Sequence, residues 1–591
     1  MNLLLQDLRY ATRVLLKQPG FTFLVALTFA LGIGANSAIF SVVNAVLLRP
    51  LPYAQPEQLV AVYEKRPALG RERNSVSPPD FLDWKAQNNV FQHIAAYTSA
   101  SLNRTDADEP ERLIATTASA DFFATLGVPA QLGRTFAPEE DQAGAQRVAV
   151  LSHRLWQRRF GSDPKVIGRA LTLNGNSYVV IGVMPRSFEY PDATTELWVP
   201  LVLDGPDAAN RGMHFLNVIA RLKKDTTLSG ARAEMETIAS RLEQAYDVNR
   251  GHGVNLFPLH SEVVGQLRKP LLVLAAAVGC VLLIACVNVA NLLLVRATAR
   301  RKEIAIRTAL GATKPRIVRQ FMAESLLLCV LGGTAGLLLA VWGTDLLVAL
   351  SPADTPRREQ IAIDPATLGF SLIASLSAAL VFGLLPAWQF CRPAINDALK
   401  EGGRGSSDEG GRRLRSGLVV TEIAPALVLL VGAGLLLKSF ARLRDTDAGI
   451  NPRGVLTAQV LLPRSKYKEP QAISAFARDA LERMRTIPGV DLAGATVSLP
   501  LGEPPASRYF SIEGRAPTRP GEGANANFNL ASPDYFRALS IPLRRGRDFT
   551  DRDVIGAPAV AIINEALARK YFPDEDALGK RIRIGDGEWH T

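Results

Sequence analysis

The sequence predicts a membrane protein, an α-helical transmembrane bundle with mixed α/β extracytoplasmic domains. Three observations point there: five long apolar runs, a positive charge excess gathered at the ends of those runs, and an internal repeat in the polar parts. At 591 residues, 48% of them hydrophobic and with a mean hydropathy of +0.10, the chain exceeds one ordinary soluble domain in size and in apolarity.

Residues 21–48, 271–295 and 366–390 are uncharged, and each exceeds the roughly 20 residues that a helix rising 1.5 Å per residue needs to cross a ~30 Å hydrocarbon core. Residues 326–350 form a fourth run, broken only by Asp345 near one end. Residues 418–437 form a fifth. Glu422 and Pro425 fall inside it, with Glu422 close enough to an end to reach the headgroups. Buried helices of a soluble core rarely lack charge on every face over such lengths, so all five read as crossings in contact with membrane lipid.

The net charge of +11 raises nucleic acid as a partner, and its location excludes it. Residues 1–20 hold three basic and one acidic group, 296–324 eight and two, and 391–417 six and four. Residues 49–270, the largest polar stretch, hold 25 of each sign. The excess thus sits in short segments at helix ends, which places those segments in the cytoplasm and residues 49–270 outside. No basic face remains on a soluble domain, so no nucleic acid is expected. Cys280, Cys286 and Cys329 lie in apolar runs and Cys391 just past one, so the outer domains must fold without disulfides. His93, His153, His214, His252, His260 and His590 follow no metal-ligand spacing, and surface or core roles are expected of them. No metal or cofactor is expected.

In order along the chain, residues 1–20 read as a cytoplasmic amphipathic helix on the inner leaflet, with Arg9, Arg13 and Lys17 beside a stripe of Leu4, Leu8, Ala11 and Leu15. No signal-peptidase site follows, so the first crossing, 21–48, is an uncleaved anchor. Residues 49–270 form a first α/β domain. One unit in it is a strand at 59–64, a helix capped by Ser77 with Pro78 in its first turn, and a strand at 91–99. Another is a strand at 215–222, a helix at 228–246 and a strand at 254–258. Between them, about 111–205 is a strand-rich insertion that reads as a second subdomain. Crossing two (271–295), a cytoplasmic elbow (296–325), crossing three (326–350), a short outer loop (351–365), crossing four (366–390), a cytoplasmic linker (391–417) and crossing five (418–437) follow, and 438–591 is a second outer domain.

That second domain repeats the first. "SADFFATLGVPAQLGRTF" from Ser119 returns as "SPDYFRALSIPLRRGRDF" from Ser532, "VAVLSHRLWQRRF" from Val148 as "VAIINEALARKYF" from Val560, and Gly168 as Gly579. Segments 455–462, 472–485 and 490–499 repeat the strand, helix, strand order. A complete second copy calls for the rest of its insertion and three more crossings; either the gene product is truncated or a homodimer supplies that part.

The elbow carries the mechanism. Ile304 and Thr308 fall on one side of a helix continuing to Leu310, with Arg300, Glu303 and Arg307 on another. Gly311 can end that helix in the left-handed region, Thr313 can cap the next, and Pro315 fits its first turn. Topology explains the arginines, but Ile304, Ile306 and Leu310 among charges in a water-facing loop point to a docking surface. Gly332, Gly333 and Gly336 in crossing three suit close helix packing, at a dimer or pseudo-dimer seam, and Asn36, Asn44, Asn288 and Asn291 suit hydrogen bonds between helices. Glu324 is expected to pair with Gln320 or Arg319. No catalytic residues are expected: Ser/His/Asp, HExxH and paired intramembrane carboxylate patterns do not occur, nor does a G-x-x-x-x-G-K-[ST] loop that could cradle ATP phosphates.

"RRKEIAIRTALGATKPRIVRQFMAESLLL", residues 300–328, resembles the cytoplasmic signature of the MacB/FtsX class of ABC transporter permeases, and "FTFLVALTFALGIGANSAIFSVVNAVLLRPLPY", residues 21–53, resembles their first crossing. The duplicated layout resembles the acidobacterial duplicated permeases of that class. The resemblance implies a MacB-like periplasmic core in a bacterial inner-membrane protein with a cytoplasmic N-terminus. It also implies a separate ABC ATPase, on which Arg301, Glu303, Ile304, Arg307, Leu310, Gly311 and Ala312 would dock. In that class closure of the ATPase moves the periplasmic domain without a channel, a mode called mechanotransmission. An efflux permease with periplasmic adaptor and outer-membrane partners is one implied function; an FtsX-like regulator of a periplasmic cell-wall hydrolase is the other. The strand-rich insertion, which resembles partner-docking subdomains of exporters, favours efflux.

Overall fold

The computed structural model describes residues 2–67, 70–106, 109–299, 313–352, 355, 357–390, 409–463, 466–502, 507–515, 524–585 and 587–591. They form two compact units. One comprises Met1–Leu51, Asp192–Thr194 and His260–Arg444; the other comprises Pro52–Pro191, Thr195–Leu259 and Asp445–Thr591.

The first unit is helical: α1 (Asn2–Leu16), α2 (Pro19–Val43, extended by a π-helical turn, Asn44–Leu48), α3 (Leu259–Ala299), α4 (Lys314–Leu350), α5 (Pro365–Phe390) and α6 (Glu409–Asp445). Among the described residues four stretches are long and apolar enough to cross a membrane: Pro19–Leu48, Leu259–Arg296, Val318–Leu350 and Ser416–Asp445. A shorter apolar stretch, Pro365–Leu380, lies in α5. Val25, Phe29 and Ile33 of α2 pack with Val289, Ala290 and Leu293 of α3, Leu328 and Cys329 of α4, and Ala378 and Ala379 of α5. Leu15 of α1 joins this core and Ala11 is fully buried, while Asp7 pairs with Arg319 of α4. That end of the amphipathic stripe therefore faces protein and not the inner leaflet, because α4 passes beside α1 with a charge to match. Leu418 brings α6 against the same core, and Ile423, Leu427, Val428, Leu430 and Leu435 stay exposed, as lipid-facing side chains do.

The second unit is built on a sheet of eleven strands. They are β1 (Leu59–Arg66), β2 (Arg71–Asn74), β3 (Phe91–Arg104), β4 (Glu111–Ala118), β5 (Leu132–Gly133), β6 (Val148–Leu151), β7 (Ala170–Leu173), β8 (Asn176–Val183), β9 (Leu197–Pro200), β10 (Asn217–Leu222) and β11 (Gly253–Pro258). The spatial order is β11-β1-β10-β3-β4-β9-β6-β8-β5, with β2 on β1 and β7 joining β3 and β8. The helix Pro78–Gln87 starts as the sequence predicts, with the Ser77 hydroxyl accepting the Asp80 amide at 3.3 Å. Helix Leu228–Ala245 lays Ala231, Met235, Ile238 and Leu242 on Val60, Val62, Trp84 and Leu256. The insertion has its own core of Leu113, Leu151, Leu155, Leu171, Val180 and Leu197. It is not a detached subdomain, however. The fourteen residues of β3 run through both parts, so one sheet serves two cores.

Residues from the second copy form a four-stranded sheet, β12 (Ser507–Ile512), β13 (Ala524–Asn527), β14 (Ile582–Ile584) and β15 (Trp589–His590), in the order β13-β12-β14-β15. By the repeat offset these correspond to β4-β3-β7-β8 of the first copy. The predicted helix is present as Pro470–Arg485. The predicted strands at 455–462 and 490–499 are not strands; the second offers one isolated bridge, Thr496 to Ala531. In the first copy β1 is held between β10 and β11, and among the described residues no strand pairs with 455–462. An extended pattern without a partner strand has nowhere to place its backbone hydrogen bonds.

Candidate functional site

The predicted coupling residues Arg301, Glu303, Ile304, Arg307, Leu310, Gly311 and Ala312 lie outside the described residues. Their two flanks are described. α3 ends at Ala299, and α4 begins at Lys314 with Thr313 in the extended N-cap conformation and Pro315 in the first turn; Thr313 makes no side-chain capping bond among the described residues. Arg296, on the last turn of α3, is buried. Its guanidinium lies 4.6 Å from the ring centre of Phe21 on α2, and its Nη1 lies 3.8 Å from Oε2 of Glu324 on α4. Gln320 donates to the other Glu324 oxygen at 3.4 Å, while Arg319 turns to Asp7. Glu324 is thus buried and faces an arginine of the preceding crossing, which helical spacing within α4 alone does not reveal. A buried charge pair broken on one side costs about 3–5 kcal/mol, so these contacts hold α1, α2, α3 and α4 together where the basic segment leaves and re-enters.

The glycines of α4 bring the helices into close approach. A Cβ on Gly332 would meet Phe29 Cβ at 2.5 Å, one on Gly336 would meet the Ala30 carbonyl at 3.1 Å, and one on Gly34 would meet the Gly336 carbonyl at 2.9 Å. Gly333 faces Ser375 of α5, with 2.8 Å to its hydroxyl. These contacts lie within one chain, not at a seam between copies. α2 and α5 are then joined by a polar ladder. Ser37 and Ser371 hydroxyls are 2.6 Å apart, Ser41 donates to Thr367 at 3.3 Å, and Asn44 donates to Asp364 at 2.7 Å, where Arg49 also pairs. Burial opposes the Asp364 charge, but the Thr367 hydroxyl and amide and the Arg49 guanidinium outweigh it and hold the carboxyl at about 2. Asn36 ties α2 to α3 through the Val278 carbonyl at 2.7 Å. Each such bond between membrane helices contributes about 0.6 kcal/mol. Asn288 and Asn291 lie half-buried on α3.

One constellation in the α/β unit has no counterpart in the sequence reading. Glu64 of β1 lies 2.9 Å from His214 Nε2 and 3.5 Å from His252 Nδ1, and accepts a 2.7 Å bond from Arg66. Alternation along β1 puts Glu64 and Arg66 on one face, and the pairings of Val62 with Val218 and of Lys65 with Gly253, extended along each ladder, bring His214 and His252 beside them. Burial would raise the Glu64 carboxyl, yet the His214 hydrogen bond and the charges of His214, His252 and Arg66 hold it at about 2. Burial pushes the His252 imidazole down.

The MacB-like periplasmic core domain matches twice, over residues 22–238 and 424–590, and the FtsX-like permease C-terminal domain matches residues 275–395. The macrolide export ATP-binding/permease protein MacB of Chromobacterium violaceum is 26% identical over 283 residues, 47% of this chain and 42% of that protein. The protein of the same description from Burkholderia lata is 28% identical over 284 residues, 47% of this chain and 39% of that one. The chain thus spans about two fifths of the length of these curated relatives. Among solved structures, the periplasmic region of MacB from Actinobacillus actinomycetemcomitans gives a TM-score of 0.28 at 14% identity, over 39% of this chain and 97% of that chain. With one domain description covering well over half of its residues in two copies, this chain belongs to the MacB/FtsX-type family of ABC transporter permeases.

Proposed function

We propose that the chain is the permease part of an ABC-type extrusion system, in which an ATPase partner moves the segment 300–312 and the helices carry that movement to a periplasmic α/β unit. The observation that supports it most is α3. It begins at the residue after β11 ends and stays helical for 41 residues, through Pro270, up to the basic segment. At 1.5 Å per residue this is a lever of about 60 Å. Its far end is tied to α2 and α4 through Arg296, Phe21 and Glu324, so a push on the segment displaces several helices together. The clustering of basic residues at 296–324 supports a cytoplasmic position for that end.

The repeat, the FtsX-like bundle and the strand-rich insertion together support the duplicated arrangement and an efflux role, with a periplasmic adaptor and an outer-membrane component as further partners. A regulator of a cell-wall hydrolase would use the same lever. Recovery of an ABC-type ATPase with the tagged chain from its own cells tests the proposal. Ile304→Asp together with Leu310→Asp is expected to lower that recovery by roughly tenfold or more, since two apolar anchors would be replaced by charge. Unchanged recovery would remove the docking role. Drug accumulation compared with septation in a deletion strain separates efflux from regulation.

A further inference from the structure

We propose that Glu64, His214 and His252 form a binding site for a divalent cation of the Zn2+ class, a role separate from the coupling of the helices. Their ligand atoms lie within 4.8 Å of one another. Two histidines and one glutamate, with a fourth position left to water, are an established donor set for Zn2+, whose bonds of about 2.0–2.1 Å place ligand atoms about 3.3 Å apart. The observed separations, 2.9 Å from Glu64 Oε2 to His214 Nε2 and 3.5 Å from Glu64 Oε1 to His252 Nδ1, place one histidine beside each carboxylate oxygen at distances near that value.

The hydrogen bonds give an independent argument. His214 Nδ1 lies 3.0 Å from the Gly212 carbonyl, which can only accept, so Nδ1 carries a hydrogen. Donation of the outer ring nitrogen to a backbone carbonyl is the usual support for a metal-binding imidazole. The inner nitrogen, Nε2, faces both an acceptor, Glu64 Oε2 at 2.9 Å, and a donor, Arg66 Nη2 at 3.0 Å. With a proton on Nε2 it opposes Arg66; without one, its lone pair opposes Glu64. A cation between Nε2 and Oε2 removes the second conflict and keeps the neutral ring, and it requires the Arg66 Nη2 to turn from Nε2 while Arg66 Nε keeps its 2.7 Å bond to Glu64 Oε1.

His252 completes the set. Its side chain is only 8% exposed, and neither ring nitrogen makes a hydrogen bond to any described residue. The carbonyl oxygen of the Asn249 side chain is likewise buried without a hydrogen bond. Both residues line, with Glu64 and Asp80 but without His214, a cavity of about 10 Å³, close to the smallest space, roughly 10–15 Å³, that holds one water-sized species. Buried nitrogens without partners are rare enough to call for a ligand.

The test is metal content of the full chain purified in detergent and equilibrated with Zn2+ alone, then passed over a desalting column. One Zn2+ per chain is expected, and Co2+ in its place should give the visible absorption of a four-coordinate site. His214→Ala and His252→Ala should each weaken uptake by roughly 100-fold or more, beyond the 10–100-fold typical of outer partners, while His153→Ala leaves it unchanged. Circular dichroism of each variant checks that it folds. Absence of metal on the wild-type chain, or equal retention by wild type and His252→Ala, would overturn the site and leave a hydrogen-bonded histidine and carboxylate cluster; neither result bears on ATPase coupling.

Discussion

The two copies of the α/β repeat share their local devices and differ in how much structure those devices support. In both, a serine hydroxyl accepts a backbone amide from the neighbouring segment: Ser119 from Ala96 at 3.0 Å, Ser532 from Ala495 at 2.8 Å. In both, a capped helix follows, with Ser152 accepting from Leu155 and Asn564 from Leu567. In both, an arginine and a carboxylate close the same turn, Arg134 with Glu140 and Arg547 with Asp553, each at 2.7 Å. Yet Val148–Leu151 is a strand buried at every position, whereas its repeat at 560–563 is not a strand. The reason is the partner. β6 pairs with β8 at every residue and with β9, whereas among the described residues the repeat shows the Thr591 amide donating to the Ala559 carbonyl and the Ala561 amide donating to the Thr591 carbonyl, each at 2.9 Å. Strand propensity is realised only where a neighbour supplies the ladder.

The largest effect should appear in amide exchange, because local opening ranges from nearly free to the global stability: amides at 149–151 should exchange at least about 10³-fold more slowly than those at 562 and 563. Equal rates would mean that the second copy finds its partner elsewhere. Next come the aromatics. Phe123 packs on Phe136, Phe188 and Trp198, whereas its repeat Phe536 has, among the described residues, ring contacts with Tyr535 and Phe549. Phe123→Ala should cost about 3–5 kcal/mol in urea unfolding. Phe536→Ala should cost about 1 kcal/mol.

Smaller still is a backbone swap. The same left-handed position is Gly127 at φ +67° in the first copy and Ser540 at φ +55° in the second. Ser540→Gly should stabilise by up to about 1 kcal/mol, and Gly127→Ser should destabilise by somewhat more, since a Cβ there would also meet Ala54 at 3.0 Å and Arg221 at 3.1 Å. The smallest is the ion pair. Burial works against the Glu140 charge, but Arg134 and the Ala137 amide lower its carboxyl below the ordinary value. Its contribution is therefore present above the unfolded value of about 4.3 and is lost as pH falls through the lower folded value. With Arg134 54% exposed this amounts to no more than about 1 kcal/mol, and Glu140→Gln should flatten the acid limb of the stability profile by that amount.

The membrane helices were legible because uninterrupted apolar length is a local property, and the duplication because residues such as Ser119 and Ser532 keep their spacing whatever surrounds them. The Ser77 cap was legible for the same reason. What depends on distant partners was not. The strands at 455–462 and 490–499 have the right pattern without a neighbour, the Arg296 to Glu324 pair needs two helices to meet, and α1 needs Arg319. Glu64, His214 and His252 come from three segments separated by 150 and 38 positions, and the fold alone unites them. The signal that could have found them is the placement of His214 and His252 just before two strands that flank β1.

The sidedness of the chain is the claim on which the lever rests, and thiol labelling in intact cells tests it most directly. In a background where Cys280, Cys286, Cys329 and Cys391 are replaced, single cysteines at positions 304 and 140 are exposed to a reagent that cannot cross the membrane. The account predicts modification at 140, with 304 reacting only after the cells are opened. Modification at 304 and protection at 140 would contradict it.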